Sequence, residues 1–251
     1  MEKVPIRIAH CHNSKCEHPK VHKMLYPLLR ASYTQAVACS TLAGDWIFGS
    51  GNYTVLPNAI DLQKFQYNPT IRKRYREILK VNEDTLLVGH VGNFNEQKNH
   101  EFLIDVFYEI LKYRKAKLVL IGTGPLQENV KKQVKDLQIE DDVYFLEIRN
   151  DVNCWMQAMD TFVFPSRWEG FGMVLIEGQA SNLPMVVSKE VPRIVKVTDN
   201  IHFVDLKETV KGWSDLVLNS TINVNRERKL DSRIWEYDLF ENTYRLIKLY
   251  N

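Results

Sequence analysis

Apolar and polar positions fall in blocks along this chain rather than alternating residue by residue. From residue 86 the blocks become regular. "LLVGHVG" is a continuous apolar run closed by glycine, which predicts a buried strand. "NHEFLIDVFYEILKYR" sets Phe102, Leu103, Val106, Phe107, Ile110 and Leu111 on one stripe and predicts a helix. "AKLVLIGTG" repeats the strand-and-glycine pattern, and "PLQENVKKQVKDLQI" predicts a helix with proline in its first turn. "DVYFLEI", "TFVFPS" and "LPMVVS" read as strands, "VNCWMQAM" and "GMVLIEGQAS" as helices. Continuously apolar strands alternating with helices predict an α/β fold with a parallel sheet covered on both faces. Ligands of such sheets bind beyond the carboxyl ends of the strands. That places a ligand near Gly92, Gly122, Arg149 and the stretch after Ser166.

The first eighty residues are less complete. "PIRIAHCH" reads as a strand, "MLYPLLRASYTQA" as a helix broken or kinked at Pro27, and "AVACS" as a short strand. "YTVLPNAID" reads as a strand ending in a turn. Together they make about half of a second α/β domain, with "DLQKFQYNPT" as the linker. The closing stretch "DSRIWEYDLFENTYRLIKLY" predicts an amphipathic helix with Ile234, Trp235, Leu239, Tyr244, Leu246 and Ile247 on one broad face.

Composition narrows the function only a little. The chain has 251 residues, 45% of them hydrophobic, and 33 basic against 31 acidic side chains. A formal charge of +2 gives no electrostatic case for nucleic acid. Four cysteines do not make a disulfide framework, so a reducing cytoplasm is expected. No apolar run is long enough to span a bilayer, and the N-terminus lacks the apolar core of a signal peptide.

Three stretches carry candidate chemistry. "HCHNSKCEHPKVH", His10 to His22, holds four histidines and two cysteines, which raises a metal site. In a strand His10 and His12 share a face while Cys11 points away, and no second knuckle follows at a zinc-like spacing. No metal is expected. In "SRWEGFGMVLIEGQA" the carboxylates Glu169 and Glu177 stand eight residues apart. Between them Gly170, Phe171 and Gly172 lead into a helix whose first-turn N–H groups form an anion site. Ionised carboxylates accept hydrogen bonds only, so this pair suits sugar hydroxyls beside a phosphate. The alternative is a Glu169 favoured by the helix dipole and an exposed Glu177. Lys98 in "GHVGNFNEQKNH" opens a helix and can meet a diphosphate as a point charge. Gly122 and Gly124 make a further tight turn at the same edge, without the third glycine of a dinucleotide fingerprint.

"VGNFNEQKNHEFLIDVF", "LVLIGTGPL", "MDTFVFPSRWEGFGMVLIEGQASNLPMVVS" and "VLPNAID" together resemble family 4 of the retaining nucleotide-sugar glycosyltransferases, in particular members that build bacterial capsule and exopolysaccharide. The E-x7-E motif from Glu169 to Glu177 is the most specific part of the likeness. The resemblance implies a GT-B fold: a Rossmann-like C-terminal donor domain, residues 66–251, and a partial Rossmann-like N-terminal domain, residues 1–65. It also implies a terminal helix, 232–250, that crosses back. It implies that Glu177 holds the ribose, that Glu169 contacts the donor sugar, and that Lys98 neutralises the diphosphate. The backbone of Phe171 and Gly172 then lies near the donor, and Ile148 and Arg149 lie where the base is held.

His12, at the end of a strand matching "IAHSHN", faces the donor sugar in this resemblance, with His10 second. Ser14, Lys15, His18 and Lys20 belong to the cleft loop, and His22 is a solvated helix residue. Pro57, Asn58 and Asp61 match a "PNGID" turn, with Ala59 in the glycine's place. Asn93 stands where many members carry arginine, which leaves more of the neutralisation to Lys98. Strands expected ahead of "PIRIAHCH" are missing, so a fragment or one half of a split enzyme is expected. The implied partners are a UDP- or GDP-sugar and a saccharide or lipid-linked acceptor, with peripheral membrane contact through the missing part and no metal cofactor. A second reading is a nucleotide-sugar-binding module that lost turnover. A nicotinamide-dependent oxidoreductase fits the α/β pattern but not the absent fingerprint.

Overall fold

The continuous apolar runs become parallel strands. The computed structural model describes residues 4–12, 18–222 and 224–250. The chain divides into two compact units, residues 1–61 with 235–251 and residues 62–234.

The first unit starts with β1 (Ile8–Cys11), α1 (Pro19–Ser32), β2 (Gln35–Ala38), α2 (Thr41–Phe48) and β3 (Thr54–Val55). Its sheet is parallel in the order β1-β2-β3, with Cys11 opposite Ala38 and Ala38 opposite Val55. Small side chains dominate its core, Cys11, Ala36, Ala38 and Ala43 around Phe48. The α1 helix begins earlier than expected and continues through Pro27. The α2 helix was not anticipated. It is started by Ser40, whose hydroxyl accepts the Ala43 N–H at 3.2 Å.

The second unit holds α3 (Leu62–Phe65), α4 (Pro69–Ile78), β4 (Leu86–Val91), α5 (His100–Leu111), β5 (Ala116–Ile121), α6 (Gln127–Asp136), β6 (Val143–Phe145), α7 (Val152–Ala158), β7 (Thr161–Phe164), α8 (Met173–Ala180), β8 (Met185–Ser188), β9 (Ile201–Val204) and α9 (Val210–Ser220). The six strands run parallel in the order β6-β5-β4-β7-β8-β9. The chain winds outward from β4 one way and from β7 the other. The topological switch point therefore lies between β4 and β7, where open α/β sheets bind ligands. The core on the α5 and α9 side includes Leu86, Val88, Leu103, Phe107, Leu118, Leu120 and Trp213, all fully buried. Each such side chain contributes about 1.5–3 kcal/mol through burial.

Several expectations need correction. The stretch taken as a linker contains α3 and the start of α4, and the whole of α4, β9 and α9 was not anticipated. Pro125 lies ahead of α6, whose N-cap is Leu126. The single terminal helix over 232–250 is two pieces, a 3-10 stretch Ser232–Tyr237 and α10 (Leu239–Lys248). Asp238 divides them, because its carboxylate accepts the Glu241 N–H at 2.9 Å and caps α10. Of the residues expected on one apolar face, Ile234 is buried, whereas Trp235, Leu239, Tyr244 and Ile247 are exposed. Within the first unit, Ile60 donates to the Tyr237 carbonyl and accepts from the Leu239 N–H, both at 2.9 Å.

The strand ends of the second unit cross at close range. Gly122 has φ +139°, and a Cβ there would stand 2.1 Å from the Gly92 carbonyl oxygen. A Cβ on Gly124 would stand 2.5 Å from the Phe94 carbonyl oxygen. These glycines are required by backbone passing backbone. Gly122→Ala is expected to destabilise the protein by about 1–3 kcal/mol, since neither backbone can yield cheaply. The check is a urea titration with a lowered midpoint and an unchanged slope.

Candidate functional site

Two loops leave the switch point, residues 92–99 after β4 and 165–172 after β7. In the first, Phe94 is buried and donates its N–H to Thr123 O at 3.0 Å. Asn95 Oδ1 accepts the Lys98 N–H at 3.1 Å. Asn99, the residue after Lys98, adopts the left-handed conformation, φ 56°, and leads into α5.

The two loops are stitched to each other. Arg167 N–H donates to Gln97 O at 2.7 Å, and Gln97 Nε2 to Trp168 O at 2.9 Å. Asn99 Nδ2 donates to Pro165 O, and Asn99 Oδ1 accepts from Arg167, each at 3.2 Å. This brings Lys98 Nζ to 2.5 Å from Glu169 Oε1, with the two side chains only 15% and 7% exposed. The ammonium also sits 4.6 Å from the centroid of the Phe164 ring.

Beneath the pair lies an uncharged floor. His90 Nδ1 meets Val163 O at 2.8 Å, and its ring packs edge to face with His100 at 4.6 Å. His100 stacks on Phe94 at 4.0 Å. Burial, then the nearby Lys98 charge, pushes His100 down to about 4. Burial and His100 push His90 down as well. Both imidazoles are therefore neutral near pH 7.

The second loop turns into α8 through Gly172, φ +86°, and no side chain caps that helix start. Its first-turn N–H groups give the helix a positive end. Gly170 is exposed and Phe171 half-buried. Glu177, the fifth residue of α8, is half-buried, and among the described residues no donor or cation meets its carboxylate. Burial raises it to about 6.

After β6, Ile148 is 75% exposed. Arg149 grips Asp151 with two hydrogen bonds, at 2.8 and 2.9 Å. That grip, with a bond from the Tyr75 hydroxyl, holds Asp151 near 2. The Arg149 guanidinium is thus engaged with Asp151, while Ile148 projects from the same loop. Asn93 is exposed.

In the first unit, His10 and His12 share a face with ring centroids 4.6 Å apart, and Cys11 lies in the core behind them. His12 Nδ1 is 2.7 Å from Asn58 Oδ1. An amide oxygen only accepts, so Nδ1 carries the proton. His22 is not simply solvated: it is half-buried and stacked on Trp46 at 4.8 Å. Ser14, Lys15 and Cys16 lie outside the described residues. Among the described residues no three His, Cys, Asp or Glu side chains converge as metal ligands. No described helix is long and apolar enough to cross a membrane.

The structure thus joins Lys98 to Glu169 and sets Gly92, Gly122 and Gly124 at one crossing. Gln97, Asn99, Arg167, His90 and His100 were missed by sequence reasoning. An asparagine just ahead of a helix could have signalled the left-handed turn at Asn99. Nothing local signals the other four.

The doubly wound parallel sheet with this switch-point site has the GT-B fold of several solved glycosyltransferases. HepE of Anabaena, in complex with UDP and glucose, superposes with a TM-score of 0.75 at 19% identity, over 96% of this chain and 70% of that one. A glycosyltransferase from Rickettsia africae gives 0.77 at 14% identity, over 97% and 69%. Residues 71–205 match the family Glycosyl transferases group 1, and the chain belongs to that family. EpsF of Bacillus subtilis, which bears a glycosyltransferase name, is 30% identical over 99% of this chain and 69% of its own length. A UDP-Gal:α-D-GlcNAc-diphosphoundecaprenol α-1,3-galactosyltransferase of Escherichia coli is 30% identical over 54% of this chain, which spans 36% of that protein.

Glu177 yields a pH prediction. Its carboxyl titrates at an ordinary 4.5 in the unfolded chain and at about 6 in the fold. The bound proton therefore favours folding: its contribution is full below pH 4.5 and lost as pH rises through about 6. Glu177→Gln is expected to be more stable than the native chain at pH 8 by about 1–2 kcal/mol, with no gain at pH 4. Urea titrations at both pH values check this.

Proposed function

We propose that this chain forms the donor side of a retaining glycosyltransferase. It moves a sugar from a UDP- or GDP-sugar to a saccharide or lipid-linked acceptor in cytoplasmic synthesis of bacterial polysaccharide. The observation that carries this reading is the Lys98–Glu169 pair, held beside an uncapped helix start at the switch point. HepE, which shares the fold, is a UDP-binding protein in its solved complex, and that supports a nucleotide here.

In this reading Lys98 and the first turn of α8 face the diphosphate. The bond between sugar C1 and the β-phosphate oxygen breaks, and its electron pair stays on that oxygen. Charge therefore grows where a fixed cation and N–H dipoles are worth most. The acceptor oxygen bonds to C1 on the face the phosphate leaves, and its proton passes to the departing phosphate. Lysine and backbone N–H groups do the work of a metal. Glu169 accepts from donor-sugar hydroxyls and Glu177 from the ribose. The backbone of Gly170, Phe171 and Gly172 lines the diphosphate, with Asn93 as a neutral donor. The base lies against the loop of Ile148, with Arg149 ordering that loop through Asp151. His12 enters on the family resemblance alone.

A nucleotide-sugar-binding module without turnover is the second reading. The chain spans 69% of the length of EpsF. Calorimetric titration of UDP and GDP, followed by a sugar-transfer assay with each donor, separates the two. Binding with turnover supports the enzyme, binding alone the module, and failure to bind either nucleotide overturns both. Lys98→Met is expected to weaken binding of the intact UDP- or GDP-sugar about 10–100-fold, the worth of one charged hydrogen bond.

A further inference from the structure

Glu169 is held unusually firmly for a sugar contact. Its carboxylate meets Lys98 at 2.5 Å with both side chains mostly withdrawn from water. The Gln97, Asn99 and Arg167 bonds keep the two loops from separating. The groups packed around the ammonium are the Phe164 ring and two neutral histidines, and among the described residues Glu169 is the one carboxylate that pairs with it. Arg167 is turned to Asn99.

A nucleoside diphosphate placed at this edge brings negative charge to the same ammonium. Phosphate and Glu169 then compete for one cation and repel each other. A buried carboxylate that loses its partner is left with its desolvation cost uncompensated. An intact sugar donor relieves that cost, because sugar hydroxyls donate to the carboxylate. The free nucleotide lacks the donor sugar, and its ribose is held at Glu177, so it offers no such donors to Glu169.

Resting on the reading of the site given above, we propose that Glu169 discriminates the intact sugar donor from its spent nucleotide. It yields Lys98 to the diphosphate only when sugar hydroxyls replace the ammonium. It takes Lys98 back once the sugar is gone, which speeds nucleotide release. Glu169 is thus a specificity-determining residue for the donor and a brake on product inhibition.

The test is equilibrium binding of UDP and UDP-glucose, and of GDP and GDP-mannose, to the whole chain and its variants. Glu169→Gln is expected to bind the free nucleotide about tenfold tighter than the native chain, and the sugar donor no tighter. The gain is expected to shrink in a Lys98→Met background, where no cation remains to be released. An unchanged or weaker nucleotide affinity in Glu169→Gln overturns the proposal, as does a gain of equal size without Lys98. Should Glu169→Gln fail to fold, the native chain alone decides: tighter binding of the donor than of its nucleotide supports the exchange, and the reverse overturns it. A native chain that binds no nucleotide overturns the site reading and this proposal with it. Nucleotide binding with no effect of Glu169→Gln overturns only the exchange.

Discussion

The second unit depends on two backbones passing within contact distance. The chain leaving β5 at Gly122 runs against the carbonyl of Gly92, where β4 ends. A side chain at either crossing point would push the loops apart. Their closeness lets Phe94 drop into the core and stack on His100. With Phe94 fixed, the rest of the loop has little freedom, and Lys98 emerges at one place. The glycines act on the site through shape alone.

That shape sets one ion pair apart from the exposed pairs on the helices of the unit. Lys211 with Asp215 and Lys132 with Asp136 are exposed pairs one helical turn apart. Such solvated pairs contribute little to stability and are weakened by salt. Lys98 and Glu169 are mostly buried over aromatic and neutral imidazole rings, so their attraction is little screened. Burial raises both the attraction and the cost of separation. A pair in that position is better suited to exchange partners than to add bulk stability.

Much of the sheet could be read in advance, because β4, β5, β7 and β8 are apolar on both faces and closed by glycine or polar residues. The α4 helix could not. Half of its sequence "PTIRKRYREI" is charged, and it is held through arginines rather than an apolar stripe. Arg76 is 1% exposed and reaches Asp160 at 3.1 Å, and Arg72 reaches the same carboxylate at 2.7 Å. The partner lies more than eighty residues away, beyond any local pattern. The same limit hid the Lys98–Glu169 contact. The sequence pointed to both residues by motif, but their meeting depends on Gln97 and Asn99 bonding across two loops. Glu177 could be read either way, and only its partial burial in the fold decides that it is not a solvated helix residue.

Arg226 lies at the other end of the unit from this chemistry and still bears on it. Its guanidinium makes five hydrogen bonds to the carbonyls of Met156, Gln157, Met159 and Ser181. Those carbonyls close the C-terminal ends of α7 and α8. Burial, then repulsion from Arg72, pushes Arg226 down to about 9, so it keeps its proton at neutral pH. The α8 helix has eight residues and spans about 12 Å. A helix so short ordinarily presents two opposite partial charges almost side by side, and an anion feels their difference. Here a full positive charge more than offsets the negative pole of about half a charge, so an anion at the glycine end meets a positive pole with no negative one behind it.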